Sequence, residues 1–417
     1  MEGQGLIVLP SKDLLEDIKF FTKFGFHQEQ IFPADNPAVS VLSGYGMKLQ
    51  IDKRADIPPP TIHILTENSG KLEEKLSSGN TAPNGTTVKI FPKSTGITIP
   101  RPVQKLEITH LDKGYSWVVG RAGMLYRDLV PSRLGGALIA SHIHIPNDGP
   151  VPDMVHYHTV LFQLIYCYKG WVKVVYEDQG EPIILHPGDF VIQPPEIRHR
   201  VLESGEGLQV IEIGVPAQHM TSFDQHTQLP TIACQPEREF QDQVFCHHQA
   251  GNAVWKLMNG FNICNTGVCE ATKGVASVTI AKPTDSSEVH SIHDCDIYFA
   301  FVLKGRTELN VKDNGSYILS EGDAFVVPRN MVFVFSNYSK DLELLRISLP
   351  KVYLSDILQR YDLFCFMNDF IDNGEFPRKK LKNQWKKIVI ESEWCMSKTG
   401  VNLLDKLPID ELSTFNT

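Results

Sequence analysis

The sequence lacks the features that mark membrane-spanning and secreted proteins. No stretch of about 18 consecutive apolar residues occurs, so no transmembrane helix is expected. The first ten residues, MEGQGLIVLP, contain no basic segment followed by a long apolar run, so we expect no signal peptide. The eight cysteines form no CxxC pair and no zinc-finger spacing. This usage favours reduced thiols in a cytoplasmic protein.

Positive charge is also scarce. Forty Lys and Arg residues stand against 49 Asp and Glu residues, which gives a net charge of −9. Nucleic-acid and membrane-surface binders need a basic face, so we expect neither partner and instead a small-molecule substrate or ligand. The 417 residues, 42% hydrophobic and 21% charged, are typical of a soluble globular protein of two to four domains.

Two sequence blocks between residues 152 and 203 carry the strongest pattern. The first, PDMVHYHTVLFQLIYCYKGW, places His156 and His158 two residues apart, so on a strand both side chains project to one face. Gln163 follows in the same block, and the second block, HPGDFVIQPPEIRHRVLE, contains His199. Three neutral imidazoles suit Fe(II), Ni, Cu, Mn or Zn. The alternative interpretation is that they fill a core as hydrogen-bonded histidines.

This spacing resembles the two sequence blocks of the cupin superfamily: His-x-His, a carboxylate and a glycine, then glycine, proline and a final histidine. The resemblance implies a small RmlC-like β-barrel holding one divalent metal ion on His156, His158 and His199. Gln163 stands where most cupins carry glutamate. Because its amide is neutral, Gln163 would be a weak ligand or would orient substrate or oxygen. The site would then keep the full charge of the dication, which favours an anionic, chelating substrate.

The pattern occurs twice. YKG at 168–170 corresponds to LKG at 303–305, and PGDFVIQP corresponds to EGDAFVVP. Two barrels of one design make a bicupin. In the second copy only His293 keeps a ligand position, because Ser291, Tyr298 and Phe333 replace the other three. We therefore predict a degenerate site kept for packing, with a rebuilt site as the alternative. The candidates for that site are His290, His293, Asp294 and Asp296.

The first fifty residues follow a different plan. A strand at Leu6–Leu9 and a helix from Lys12 to Lys23, capped by Ser11, precede three strands at Phe26–Phe32, Val39–Leu42 and Met47–Ile51. This order resembles one βαβββ unit of the vicinal-oxygen-chelate (glyoxalase-like) fold. The strands that hold metal in that family offer only Gln50 here, so we predict a metal-free unit. Because family members complete the sheet with a second unit, we predict a homodimer formed through it.

The predicted fold class is mainly β, with two tandem cupin barrels, an N-terminal α+β unit and a helical C-terminal tail. The predicted boundaries are 1–95 for the βαβββ unit, 114–232 for the metal-binding barrel, 233–350 for the degenerate barrel and 351–417 for the tail.

Several further residues are candidates for the site. His142 and His144 alternate on the strand before the first block, where they would line the barrel mouth as acid–base groups, or face solvent. Glu212 lies in the apolar stretch LQVIEIGV and should lie at the mouth or be paired, because burying an unpaired carboxylate is costly. The flanking Arg198 and Arg200 should point away from the metal. The stretch Tyr126–Asp128 is a weaker candidate for the barrel opening.

The segment KGWVKVVYEDQGE, with QPPEIRHR after it, is similar to small proteins described only as cupin-domain proteins. Cupins include dioxygenases, isomerases, lyases, decarboxylases and binding proteins, so the resemblance predicts a fold and not a reaction. Our first hypothesis is an Fe(II) dioxygenase, because no general base is clearly placed near the metal block. The alternatives are a redox-neutral isomerase or lyase using Zn or Mn, and a non-catalytic ligand-binding or regulatory protein.

Overall fold

The computed structural model describes residues 3–76, 79–93, 97–112, 117–258, 260–284 and 288–349. The chain divides into two compact units, with the boundary after Ile99. The predicted helical tail, 351–417, lies outside the described residues. None of the described helices is both long and apolar enough to cross a membrane.

The first unit follows the predicted strand–helix–strand order. Its elements are β1 (Ile7–Pro10), α1 (Leu14–Lys23), β2 (His27–Phe32), β3 (Val39–Gly44), β4 (Met47–Asp52), β5 (Thr61–Thr66), α2 (Ser69–Leu76) and β6 (Thr87–Pro92). A four-stranded sheet runs in the order β1-β4-β3-β2, with β1 parallel to β4. A second, parallel pair joins β5 and β6. The glyoxalase-like assignment and the pairing of two chains stay predictions.

The start of α1 differs from the prediction. The helix begins at Leu14, and the Asp13 side chain accepts a hydrogen bond from the Glu16 backbone N–H at 3.3 Å. Ser11, the predicted cap, instead donates its hydroxyl proton to buried Asp17 at 2.6 Å. Ser11 is therefore paired with Asp17, and Asp13 caps the helix in its place.

The second unit opens with β7 (Glu107–Thr109) and continues into the first barrel. The barrel consists of β8 (Val118–Val119), β9 (Leu125–Asp128), β10 (Ile139–Ile145), β11 (Gly149–Pro150), β12 (His156–Thr159), β13 (Phe162–Lys169), β14 (Val172–Tyr176), β15 (Ile183–Leu185), β16 (Phe190–Ile192), β17 (His199–Ser204), β18 (Leu208–Val215) and β19 (Met220–Phe223). Three short strands follow: β20 (Glu239–Phe240), β21 (Gln243–Val244) and β22 (Cys246–His248).

The second barrel repeats the design. It consists of β23 (Val254–Met258), β24 (Phe261–Asn265), α3 (Val268–Ala271), β25 (Ser277–Pro283), β26 (Glu288–Ser291), β27 (Ile297–Lys304), β28 (Arg306–Val311), β29 (Gly315–Ser320), β30 (Ala324–Val326), β31 (Phe333–Ser336) and β32 (Glu343–Leu349). The mainly β fold with two tandem barrels is confirmed.

Each barrel contributes one seven-stranded sheet to a shared apolar core. The orders are β22-β16-β13-β18-β10-β9-β8 in the first barrel and β23-β24-β25-β32-β27-β30-β7 in the second. Strand alternation separates the two faces of each sheet. On β13, Leu164 and Tyr166 enter the shared core, whereas Gln163 and Ile165 face the interior of the first barrel.

The barrels exchange their first strands. β7 precedes the first barrel in sequence but pairs with β30 of the second, and β22 pairs with β16 of the first. The hairpin β20–β21 also belongs to the first barrel, because Gln243 donates its amide hydrogen to the Leu161 carbonyl at 2.7 Å. β7 thus lies before the predicted start of the first barrel at residue 114, and β20, β21 and β22 lie after the predicted start of the second at residue 233. The predicted domain boundaries stay a prediction.

Candidate metal centre

Three histidines converge inside the first barrel. On β12, alternation sends His156 and His158 to one face, and antiparallel pairing sets His156 opposite His199 of β17. The ring centroid of His156 lies 4.2 Å from that of His199 and 5.1 Å from that of His158. The three rings offer nitrogen atoms within 4.8 Å of one another, and all three side chains are buried. The sequence pattern predicted this same set.

Hydrogen bonds fix which ring nitrogen faces the centre. Nδ1 of His156 lies 2.7 Å from the Met154 carbonyl oxygen, and Nδ1 of His199 lies 2.9 Å from that of Ile197. A carbonyl oxygen only accepts, so both Nδ1 atoms carry the proton and both Nε2 atoms keep a lone pair. Nδ1 of His158 shares a hydrogen bond with the Thr221 hydroxyl at 2.9 Å. Metal-binding histidines are usually oriented in this way by a partner at the second nitrogen.

Burial keeps the three imidazoles neutral. Loss of solvation is the main cause that lowers the pKa of His156, His158 and His199 below the usual histidine value. Mutual repulsion between the rings lowers the pKa values of His158 and His199 further. A neutral imidazole is the form that binds a metal, and three of them form a borderline-soft set. The donor set therefore fits one divalent transition metal.

Gln163 and Glu212 form a pair beside the histidines. They lie on the neighbouring strands β13 and β18 and both face the barrel interior. The Gln163 side-chain amide donates to Glu212 Oε1 at 2.8 Å. Oε1 of Gln163 is therefore its one atom left to bind a metal, and its second N–H remains as a donor. The pairing predicted for Glu212 is present, and its partner is the residue that replaces the usual cupin glutamate.

His219 is a residue that the sequence pattern did not indicate. It follows β18, stacks on His158 with a centroid distance of 4.4 Å, and places Nε2 3.6 Å from Glu212 Oε1. Gly214 makes room for it, because a Cβ there would lie 2.9 Å from Cδ2 of His219. His158, Glu212 and His219 form a second group whose ligand atoms lie within 4.8 Å of one another. No spacing rule links His219 to the cupin blocks, so its position depends on the tertiary structure.

Asp153 and Arg121 complete the surroundings. Asp153 is buried, accepts from the Val201 backbone N–H at 3.0 Å, and is paired with Arg121. The oxygen that accepts from Val201, Oδ2, also lies 3.6 Å from Nδ1 of His156, and Arg121 binds the other oxygen. Tyr176 stacks on His199 with a centroid distance of 5.6 Å. These contacts hold the imidazole rings in place.

Two connected spaces surround the centre. An inner cavity of about 70 Å³ is lined by the three histidines, Gln163 and Glu212. A larger outer chamber of about 520 Å³ lies next to it. Four residues line both spaces and mark the passage between them: Arg121, Tyr126, His158 and Glu212. Burial raises the pKa of Tyr126 to about 12, so its hydroxyl stays protonated at neutral pH.

The prediction that His142 and His144 line the barrel mouth is wrong. On β10 the neighbouring Ser141 and Ile143 line the cavities, so alternation sends both histidines to the opposite face. His142 lies between the barrels, 5.9 Å from Phe301 by ring centroids. Its Nε2 bonds to Gln209 Oε1 at 2.9 Å, and burial lowers its pKa to about 3. His144 packs edge-on against Trp117.

The remaining candidate residues lie on different faces of their strands, and only some of them face the cavities. Tyr126 and Asp128 line the outer chamber, whereas Arg127 between them points into the inter-barrel core. Arg198 pairs with Asp224 at 3.2 Å and lies over the Tyr157 ring, away from the histidines. Arg200 is exposed.

In the second barrel only His293 remains at the equivalent positions, beside Ser291, Tyr298 and Phe333. Ser291 faces Phe333 as His156 faces His199, and Tyr298 stacks on His293 at 4.8 Å. His293 is buried, with Nε2 donating to the Val327 carbonyl at 2.9 Å and Nδ1 3.0 Å from the Cys295 sulfur. His290, Asp294 and Asp296 are exposed. Among the described residues of this barrel no group of three potential ligands converges, so the rebuilt site is not formed.

Comparison with known proteins agrees with this geometry. The Cupin domain family model matches the chain twice, over residues 142–214 and 277–348. The chain has two cupin domains. This bicupin is similar in structure to the protein YlbA from E. coli (10% identity, 62% of this chain and 96% of that one, TM-score 0.44). No curated protein matches its sequence.

Two other similar structures are oxalate decarboxylases. A point mutant of the enzyme OxdC from Bacillus subtilis shares 14% identity over 64% of this bicupin and 86% of its own chain, with a TM-score of 0.45. The formate complex of the Lactobacillus farciminis enzyme shares 12% identity over 62% and 88%, with a TM-score of 0.44. At these identities the similarity concerns the fold alone.

Proposed function

We propose that the first barrel is the active site of a metal-dependent enzyme acting on a small, anionic, chelating substrate, with Fe(II) and dioxygen. The observation that carries the proposal is the convergence of three buried imidazoles whose second nitrogens are already hydrogen-bonded. Histidines that only filled a core would hydrogen-bond both ring nitrogens to protein partners. Here the Nδ1 atoms have such partners, the Nε2 atoms have none among the described residues, and all three side chains line the inner cavity.

The charge of the site supports an anionic substrate. Its three ligands are neutral, so a bound dication keeps its charge except for the influence of Glu212. When bound, the metal supplies Lewis acidity and a redox-active template for substrate and oxygen. Arg121, at the passage from the outer chamber, is held by Asp153 and adds donors on the same side. The protein's part is to position the substrate and exclude bulk water.

Glu212 favours a second candidate function, a redox-neutral isomerase or lyase. The expectation of redox chemistry depended on the lack of a clearly placed base, and Glu212 lies on the boundary of both cavities. Gln163 holds one of its oxygens at 2.8 Å. Its carboxylate is thus placed to take a proton from a carbon next to a metal-bound carbonyl. With Zn or Mn, such a site would move a proton without consuming oxygen.

The experiment that separates these functions measures oxygen uptake and substrate loss together. Purified chain is loaded without air with Fe(II), Mn(II) or Zn(II) and then tested with catechols, diketones and thiols. A dioxygenase consumes one oxygen molecule per substrate with Fe(II). An isomerase or lyase converts its substrate without oxygen and loses at least about tenfold in rate on Glu212→Gln.

The matched control is His293→Ala, which removes a buried histidine from the second barrel. It should leave turnover intact while His199→Ala abolishes it. Metal binding without conversion of any substrate would contradict both enzymatic proposals and favour a ligand-binding or regulatory protein.

A further inference from the structure

A third cavity, of about 290 Å³, lies between the two barrels and away from the metal centre. β13 contributes Tyr166 and Tyr168 to its wall, and the second barrel contributes Lys282, Lys304 and Glu343. Trp255, Cys264 and Gly188 also line it. Cavities of this size are at the small end of those that take organic ligands.

Because the two barrels repeat one design, the interface between them has two equivalent ends. At the end opposite the cavity, an arginine fills the corresponding space. There Arg127 of β9 lies opposite His142 of β10. Its guanidinium crosses to the second barrel and donates to the Gly322 carbonyl at 2.8 Å, with His142 Nδ1 at 3.0 Å. Trp117 covers this end and packs edge-on against His142 at 5.0 Å.

At the cavity end the arginine is missing. Cys264 of β24 lies opposite Ile280 of β25, as Arg127 lies opposite His142. Gly188 of the PGD sequence takes the place of Gly322 of EGD, and Trp255 takes the place of Trp117. A thiol is much smaller than an arginine side chain. The flat space that a guanidinium fills at one end is therefore left open at the other.

The polar groups of the cavity are mostly donors. The Tyr166 side chain is only 4% exposed, and its hydroxyl has no hydrogen-bond partner among the described residues. Lys282 and Lys304 both approach the same Glu343 oxygen, at 3.6 and 3.5 Å. Two lysines against one glutamate leave one positive charge. A cation would find only a carboxylate already shared by two lysines, whereas an anion meets the unpaired Tyr166 hydroxyl and the surplus lysine charge.

We propose that this inter-barrel cavity binds a small planar monoanion, an aromatic carboxylate. Its ring occupies the flat space between Trp255 and the tyrosines, and its carboxylate accepts from Tyr166 and pairs with Lys282 and Lys304. The ligand contacts the face of β13 opposite to Gln163. This site is independent of the metal chemistry proposed for the first barrel.

Calorimetry of benzoate binding to the metal-loaded full chain tests the proposal. Cyclohexanecarboxylate has the same charge with a puckered ring, and benzylamine has a planar ring with the opposite charge. We expect benzoate to bind at least about tenfold more tightly than either. Equal affinity of cyclohexanecarboxylate or benzylamine would overturn the planar or the anionic part of the assignment.

Variants locate the site. Cys264→Arg should fill the cavity as Arg127 does and abolish binding. Tyr166→Phe should weaken binding by about two- to tenfold, the worth of one hydrogen bond. Lys304→Gln, a change at an exposed side chain that does not threaten folding, should also weaken it, while the exposed neighbour control Lys256→Gln should not.

Benzoate is itself an anion that a metal can attract, so His199→Ala distinguishes the two sites. Binding retained in His199→Ala and weakened in Lys304→Gln supports the inter-barrel site, even if the first barrel proves to have no catalytic metal. Binding lost in His199→Ala and unchanged in Lys304→Gln would place benzoate at the metal and overturn the proposal, as would failure of the parent to bind.

Discussion

The two barrels share a strand plan, and they differ in what fills their interiors. At the facing positions of the β12–β17 and β26–β31 pairs, the first barrel has His156 and His199 and the second has Ser291 and Phe333. Imidazoles with free nitrogens border a cavity in one barrel. In the other, aromatic rings such as Phe333 and Phe335 pack against each other at 5.6 Å.

The second difference is a reversal of charge. Glu212 of β18 lies opposite Ile165, and Arg346 of β32 lies opposite Ala300 at the equivalent place. Arg346 is buried, lies over the Phe261 ring at 5.2 Å and donates to the Thr279 hydroxyl at 3.4 Å. A cation at this position opposes metal binding nearby. The comparison teaches that a few inward-facing residues decide whether the same barrel has a candidate metal site or a filled apolar interior.

The largest expected effect is on metal content. We expect close to one transition metal per chain, and His156→Ala or His199→Ala should each lower metal affinity by more than about 100-fold, because two imidazoles remain. Elemental analysis after dialysis measures this. Two equivalents per chain, with one lost on His293→Ala, would break the comparison.

The next effect contrasts packing with function. Phe333→Ala should lower the free energy of unfolding by about 3–5 kcal/mol, because it opens a cavity in a filled core. In metal-free protein, His199→Ala at the equivalent position should cost only about 1–2 kcal/mol, the loss of one hydrogen bond beside an existing cavity. Urea unfolding of both variants checks the difference, and equal losses would contradict it.

Acid sensitivity should follow from His293. Burial lowers its pKa to about 4 from the usual 6.5. Because the unfolded chain binds this proton first, stability is complete above pH 6.5 and falls as the pH drops toward 4, by up to about 3 kcal/mol for this group. His293→Gln should remove this part of the pH dependence. Unfolding measured at pH 7, 5 and 4 tests it, and an unchanged slope would show that His293 is not involved.

The smallest expected effect concerns the exposed residues near the second barrel's rim. His290→Ala and Asp296→Asn should change stability by less than about 0.5 kcal/mol, as is usual for surface substitutions. Neither should change metal content. A loss of metal from either variant would restore the hypothesis of a rebuilt second site.

The sequence by itself determined the barrel repeat and the three histidines. These features depend on local geometry, since two residues along a strand always return a side chain to the same face. The same alternation placed Arg198 away from the site. It could not tell which face of β10 points inward, so the sequence left His142 and His144 open between the barrel mouth and solvent.

Only the tertiary structure decided which partners meet across strands. Gln163 and Glu212 are 49 residues apart, and their hydrogen bond exists because β13 and β18 are neighbours in the sheet. His219 reaches His158 through the turn after β18, and β7 and β22 leave their own barrels to complete the opposite sheets. Sequence spacing predicts contacts within an element, whereas contacts between elements follow from strand order and register. These are set by how the two barrels pack their apolar faces together.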